Sequence, residues 1–189
     1  MEKASSTIAD RFSVCFPFTL AQEDVDPARW SDPKNFSDTP GDPGGATMNG
    51  IIQSEYNAWR RAHGLAIQGV KVISREEGYA IYRGNYWLPY CPHLPEGLDL
   101  QFFDAAVNQG VHEAIEILQV ALGIAKDGVW GPLTAAAVAG IKDVTTVGHA
   151  FTARREAVYR QTGGFKEFGT DWTRRALQIG AEALKMETA

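Results

Sequence analysis

Apolar residues recur at steps of three and four along most of this chain, and that spacing predicts helices. Between residues 4 and 23, Ile8, Phe12, Cys15, Phe16 and Leu20 mark one apolar face. Pro17 falls inside it and predicts a kink or a split. Tyr56, Trp59 and Arg60 belong to a short helix closed by Gly64. Ser74 and Glu77 have the spacing of a capping box, opening a helix that carries Tyr79, Tyr82 and Tyr86 to Trp87. Pro89–Gly97 reads as a connection. Leu98–Asn108 and Val111–Leu122 read as two helices broken at Gly110. Pro132 takes the first position of a helix over Leu133–Val138, and Val144–Gln161 and Glu167–Met186 close the chain.

The helical period fails between residues 24 and 50. Pro27, Pro33, Pro40 and Pro43 fall there, with Gly41, Gly44, Gly45 and Gly50. This is a long structured loop, with a short β-hairpin expected around Ala46–Ile52. Loops of such length in compact domains are usually functional. The expected fold class is therefore mainly α, with strand confined to this loop region. A lobe holding the N-terminal half would precede a helical C-terminal half.

Composition alters little. The chain has 189 residues, 44% hydrophobic and 22% charged, as a soluble globular protein would. Net charge is −5 with no basic run, which argues against nucleic acid as a partner. Six carboxylates (Glu23, Asp24, Asp26, Asp32, Asp38, Asp42) face only Arg29 and Lys34 in the loop segment. The plain reading of most of them is a solvated loop. Cys15 and Cys91 are too few for a disulfide framework, and the four His are scattered, so free thiols and no metal site are expected. The opening M-E-K-A-S-S-T-I-A-D-R-F leads into no apolar signal segment, and no stretch approaches a membrane span. The expectation is synthesis in the cytoplasm, with delivery by another route if the protein acts beyond the membrane.

Two features bear on chemistry. Glu23 lies where the first helix yields to the loop, with Phe16, Phe18 and Leu20 nearby. Desolvation by apolar neighbours disfavours a charged carboxylate, and glycoside cleavage needs a carboxylic acid to protonate the leaving oxygen. A surface Glu at a helix terminus is the alternative reading. The second feature is T-P-G-D-P-G-G-A-T-M-N-G-I over Thr39–Ile51. Asp42 with Pro43, Gly44 and Gly45 makes a tight turn by chemistry alone. The functional reading is a rigid turn that fixes Asp42 and Thr47 opposite Glu23, where they could hold and polarise a water.

Leu20–Ile51 resembles the signature of glycoside hydrolase family 108, the N-acetylmuramidase-like secretion-activator lysozymes: roughly E-G-G-Y, a short loop, then D-P-G-G-A-T-x-x-G-I. Ile81–Trp87 (I-Y-R-G-N-Y-W), Phe103–Gly110 and Ala114–Gly123 are similar to the helices that follow in that family. Asp127–Thr134 (D-G-V-W-G-P-L-T) is similar to the turn of its C-terminal peptidoglycan-binding segment. Arg155–Tyr159 and F-x-x-F-G-T-D-W-T-R-R fit as well, so the resemblance spans about residues 12–180. Here E-G-G-Y is replaced by E-D-V-D, and the loop before D-P-G-G is longer. Glu77-Gly78-Tyr79 looks like the missing motif, but it lies in a helix pattern with no D-P-G-G-A-T after it.

The resemblance implies a lysozyme-like helical fold, with a catalytic muramidase lobe over 1–95 and a helical lobe over 96–189 resembling a peptidoglycan-binding segment. It implies a hydrolase that needs no cofactor and cuts the β-1,4 bond between N-acetylmuramic acid and N-acetylglucosamine. Glu23 takes the position of the general acid, with Asp42 and Thr47 as its partners. The expected partner is bacterial peptidoglycan, met by a monomer acting on the wall in the periplasm after holin-type or other export, as an endolysin in phage lysis or as a secretion activator. A non-catalytic peptidoglycan-binding or secretion-accessory module is the alternative.

Asn49, Gln53, Tyr86, Trp87, Asn108 and Trp130 are candidates for binding sugar. Amides suit acetamido and hydroxyl groups, and aromatic faces suit sugar rings. Four of them have a structural alternative: core for Tyr86 and Trp87, a helix C-cap for Asn108, and a compact inter-helix connection for the turn that holds Trp130.

Overall fold

The computed structural model describes residues 8–23, 25–38 and 45–187. It is mainly helical, with one small antiparallel sheet. The helices are α1 (Ile8–Gln22), α2 (Gln53–Ala62), α3 (Arg75–Tyr82), α4 (Leu98–Gln109), α5 (Val111–Ala121), α6 (Pro132–Ala139), α7 (Val144–Gln161) and α8 (Phe165–Glu187). The strands are β1 (Phe36–Ser37), β2 (Thr47–Met48) and β3 (Ile51–Ile52), in the order β1-β2-β3. The chain divides into two compact units. Among the described residues, one takes those up to Cys15 together with Tyr86 onward, and the other takes Phe16–Asn85.

In the unit from Phe16 to Asn85, the hairpin is built by its turn. Met48 pairs with Ile51, so Asn49-Gly50 is a two-residue loop. Both residues have positive φ, 51° and 77°, the geometry that follows the twist of the flanking strands and favours Asn-Gly. β1 adds a third strand, with Phe36 opposite Met48. α3 opens on the expected capping box: Glu77 N donates to Ser74 Oγ and Ser74 N to Glu77 Oε2, both at 3.1 Å. The helix then continues as a π-helical turn, Arg83–Trp87. α1 runs through Pro17 without being split. Its apolar residues Phe12, Phe16 and Leu20 are buried, whereas Pro17 is exposed.

In the other unit α4 is the central helix, with every residue from Leu98 to Ala106 buried. A helix apolar on one stripe could not do this, so its polar members must be paired. Asp104 meets Arg155 from α7 (Oδ2 to Nη1, 2.6 Å) and Arg175 from α8 (Oδ1 to Nη2, 2.9 Å; Oδ2 to Nε, 3.0 Å). Burial pushes the Asp104 carboxyl up, but the two guanidinium groups outweigh it and hold it below the ordinary range. Asp99 is raised, chiefly by burial, although Arg11 binds it through Nε (2.9 Å) and Nη2 (2.8 Å). Phe12, Trp87 and Phe103 pack ring against ring, each pair 5.5 Å apart. Cys15 and Cys91 are both free and buried.

Candidate active site

Glu23 follows directly on α1 and is half-buried, its amide donating to Leu20 O at 3.0 Å. Val25 N donates to the same carbonyl at 3.0 Å, turning the chain away from the helix. Phe16, about two turns earlier, packs edge-on against Tyr79 and Tyr82 of α3, 5.4 Å from each. The Tyr82 hydroxyl donates to Asn49 O at 2.8 Å. One tyrosine therefore braces both the helix that ends at Glu23 and the hairpin that carries Thr47.

The loop between them is organised by short-range caps. Asp26 accepts from Ala28 N (2.8 Å) and Asp32 from Lys34 N (3.1 Å), each opening a single turn of 3-10 helix. Two of the six loop carboxylates thus serve as caps. Trp30 is buried; its indole donates to Ile73 O at 3.1 Å and lies over Gly78. A Cβ on Gly78 would stand 2.1 Å from that ring, so the glycine is what admits it.

Asp42 lies outside the described residues. Thr47 opens β2, half-buried, with its hydroxyl donating to Gly45 O at 3.3 Å. Asn49 is 1% exposed and holds the loop together from inside. Its Nδ2 donates to Trp30 O (3.0 Å), and its Oδ1 accepts from Asn35 Nδ2 (2.8 Å). Gln53 begins α2 and clasps the segment beyond it: Nε2 donates to Gln68 O (2.9 Å) and Oε1 accepts from Val70 N (2.6 Å). Both amides are spent on the scaffold. Glu77 is spent as well, bonded by Arg60 Nη1 and by the Tyr56 hydroxyl (2.6 Å).

The remaining sequence candidates belong to the unit that takes Tyr86 onward. Trp87 is core, 1% exposed. Tyr86 is half-buried. Trp130 is half-buried among Tyr90 (5.5 Å), Phe102 (5.8 Å) and His93 (6.1 Å). Its turn is knotted by Gln119, whose Oε1 accepts from Asp127 N (2.9 Å) and Gly128 N (3.0 Å). Gln119 Nε2 donates to Asp127 Oδ1 (2.7 Å) and Thr134 Oγ1 (3.0 Å). Asn108 accepts from the Tyr159 hydroxyl at 2.6 Å and lines a cavity with Gln109, Glu113, Thr162 and Trp172. Among the described residues, no group of three His, Cys, Asp or Glu is placed to hold a metal.

The structure therefore gathers Glu23, Thr47, Asn49 and Gln53 in one unit and Tyr86, Trp87, Asn108 and Trp130 in the other. Sequence reasoning missed Trp30 and Tyr82 as supports of the site. The signal for Trp30 was faint: a lone Trp in a loop, with Gly78 far away in sequence to receive it.

A mainly α fold with one small antiparallel sheet places the chain in the lysozyme-like fold class. The comparisons agree. Residues 34–110 match the Glycosyl hydrolase 108 family model. That span covers the hairpin and α2 to α4, and begins after Glu23. Among solved structures, the chain is similar to SagA of Brucella abortus, with 30% identity and a TM-score of 0.75 over 94% of this chain and 96% of that one. No curated protein matches it significantly. The chain belongs to glycosyl hydrolase family 108.

Proposed function

We propose that this chain is a muramidase, cutting the β-1,4 bond between N-acetylmuramic acid and N-acetylglucosamine in bacterial peptidoglycan. The observation that carries the reading is Glu23, half-buried at the end of α1, in the same unit as the Thr47 hairpin. Its carboxyl protonates the departing glycosidic oxygen while a water completes the displacement. Thr47, with Asp42, holds that water or stabilises charge. Tyr86, Asn108 and Trp130 each keep part of their surface exposed and are the binding residues carried forward. Asn49, Gln53 and Trp87 act through the scaffold. We place the action at the wall, with delivery by holin-type lysis or another export route.

The test is Glu23→Gln. The variant should fold as the parent does and lose about 10²- to 10⁴-fold in wall-degrading rate, the usual contribution of a general acid. Mass spectrometry of sacculus digests names the bond cut. A variant that clears purified sacculi as fast as the parent removes Glu23 from the role. A parent that sediments with sacculi yet releases no new reducing ends is an accessory module instead.

A further inference from the structure

The strap that follows α2 presents apolar side chains that the core does not use. In the unit from Phe16 to Asn85, the exposed large apolar residues among those described are Ile52, Leu65, Ile67 and Val72. One such residue alone would be ordinary. Here Leu65 is 41%, Ile67 49% and Val72 65% exposed, all within a short stretch.

The strap is tied back along α2 at successive points. Leu65 N donates to Arg60 O at 2.9 Å, and Arg60 Nε donates to Ala66 O. Gln68 Nε2 donates to the Tyr56 hydroxyl. Gln53 closes the far end, donating to Gln68 O (2.9 Å) and accepting from Val70 N (2.6 Å). These bonds engage the groups of Ala66, Gln68 and Val70 and leave the side chains of Leu65 and Ile67 to solvent. A surface fixed in advance loses less entropy when it binds.

The charge around the strap departs from that of the chain. The protein carries 23 Asp and Glu against 18 Lys and Arg, yet no acidic residue falls between Tyr56 and Arg75. That stretch holds Arg60, Arg61, His63, Lys71 and Arg75. Arg60 is neutralised by Glu77. Arg61, Lys71 and Arg75 are exposed. Lys71 lies over the Phe36 ring at 4.9 Å, a contact that leaves its charge in place.

We infer that this strap docks the protein on an anionic lipid bilayer, with Leu65, Ile67 and Val72 entering the interface and Arg61, Lys71 and Arg75 meeting the headgroups. Exposed apolar side chains flanked by cations fit a surface with hydrocarbon beneath negative charge. Nucleic acids and wall polymers offer the charge without the hydrocarbon. Docked in this way, the unit that carries Glu23 is held at the membrane face, whichever bond it cuts.

Co-sedimentation of the full chain with lipid vesicles tests this. Vesicles of phosphatidylglycerol and phosphatidylethanolamine in equal parts should bind it, and vesicles of phosphatidylcholine at least about tenfold more weakly, since the cations lose their partners. Raising the salt should weaken the first binding. Arg61→Gln and Lys71→Gln should each lower affinity about fivefold. The double variant Leu65→Ser with Ile67→Ser should lower it about tenfold or more. All three side-chain sets are on the surface, so circular dichroism and melting should match the parent. A polarity-sensitive dye on Ile67→Cys should shift to the blue with the anionic vesicles, which adsorption by charge alone would not produce. Absence of binding to the anionic vesicles, or a folded double variant that binds them as the parent does, overturns the inference. Equal binding to phosphatidylcholine overturns the role of the cations. Should the double variant lose binding to purified sacculi while no vesicle is bound, the strap serves the wall and not the membrane. Glu23→Gln should leave vesicle binding unchanged, so failure of the docking and failure of the muramidase reading are read separately.

Discussion

Asp104 is fully buried and faces Arg155 and Arg175. Removing its charge leaves two guanidinium groups without their shared partner, so Asp104→Asn should cost about 3–5 kcal/mol, read as a shift in denaturant midpoint. The pH dependence follows from its lowered carboxyl. A depressed pKa stabilises the fold above the ordinary Asp value, about 3.9, and that stability is lost as pH falls through the lower folded value. The melting temperature should therefore drop below about pH 4, and less steeply in Asp104→Asn. Asp99 has the opposite sign. Its raised carboxyl makes ionisation costly in the fold, a cost that fades on acidification. Cys15 and Cys91 form a simpler case. Burial pushes both thiols well up, so neither should react with a thiol reagent until the chain unfolds. Rapid labelling of the native protein would contradict this.

Among the elements, the Asn49-Gly50 hairpin couples local chemistry to the site. Gly50 has φ +77°, and a Cβ there would stand 2.7 Å from the Tyr82 hydroxyl. Gly50→Ala should cost about 1–3 kcal/mol through strain and displace Tyr82, the brace shared by α1 and the hairpin. Activity on sacculi should fall even at temperatures where the variant stays folded. This element was legible because its turn needs only two adjacent residues. The capping box of α3 and the break at Gly110, where φ is +89°, were legible for the same reason. β1 was not. Two residues have no period to detect, and Phe36 becomes strand only because Met48 lies opposite. Pro17 predicts a kink or a split because it removes a backbone donor. It does not split α1, whose buried residues lie on either side of it.

For the whole molecule, the two units are stabilised differently. The unit of α4, α7 and α8 is tied by buried charge and aromatic packing. Residues 64–67 and 71–72 of the other unit are surface-exposed, including Leu65, Ile67 and Val72. Native-state hydrogen exchange should find amides of α4 slowest and those near Ile67 among the fastest. Equal protection of the two segments would argue against this.

By itself the sequence determined the class of the fold, the family and most helix limits. The fold class and helix limits rest on periods, caps and turns that act within a few residues, and the family rests on the resemblance of its motifs. Val144–Gln161 matches α7 end to end for that reason. Only the tertiary structure decided what each polar side chain is for. Asn49, Gln53 and Gln119 look alike as amides in a list, and all three prove to be clasps, because their partners are backbone and side-chain groups brought in by folding. Asp104 and Arg175 are 71 positions apart, and Gln109 gains its polarised, unpartnered nitrogen only when α7 arrives beside α4. Pairing at such separation follows from how helices stack, which local patterns do not encode.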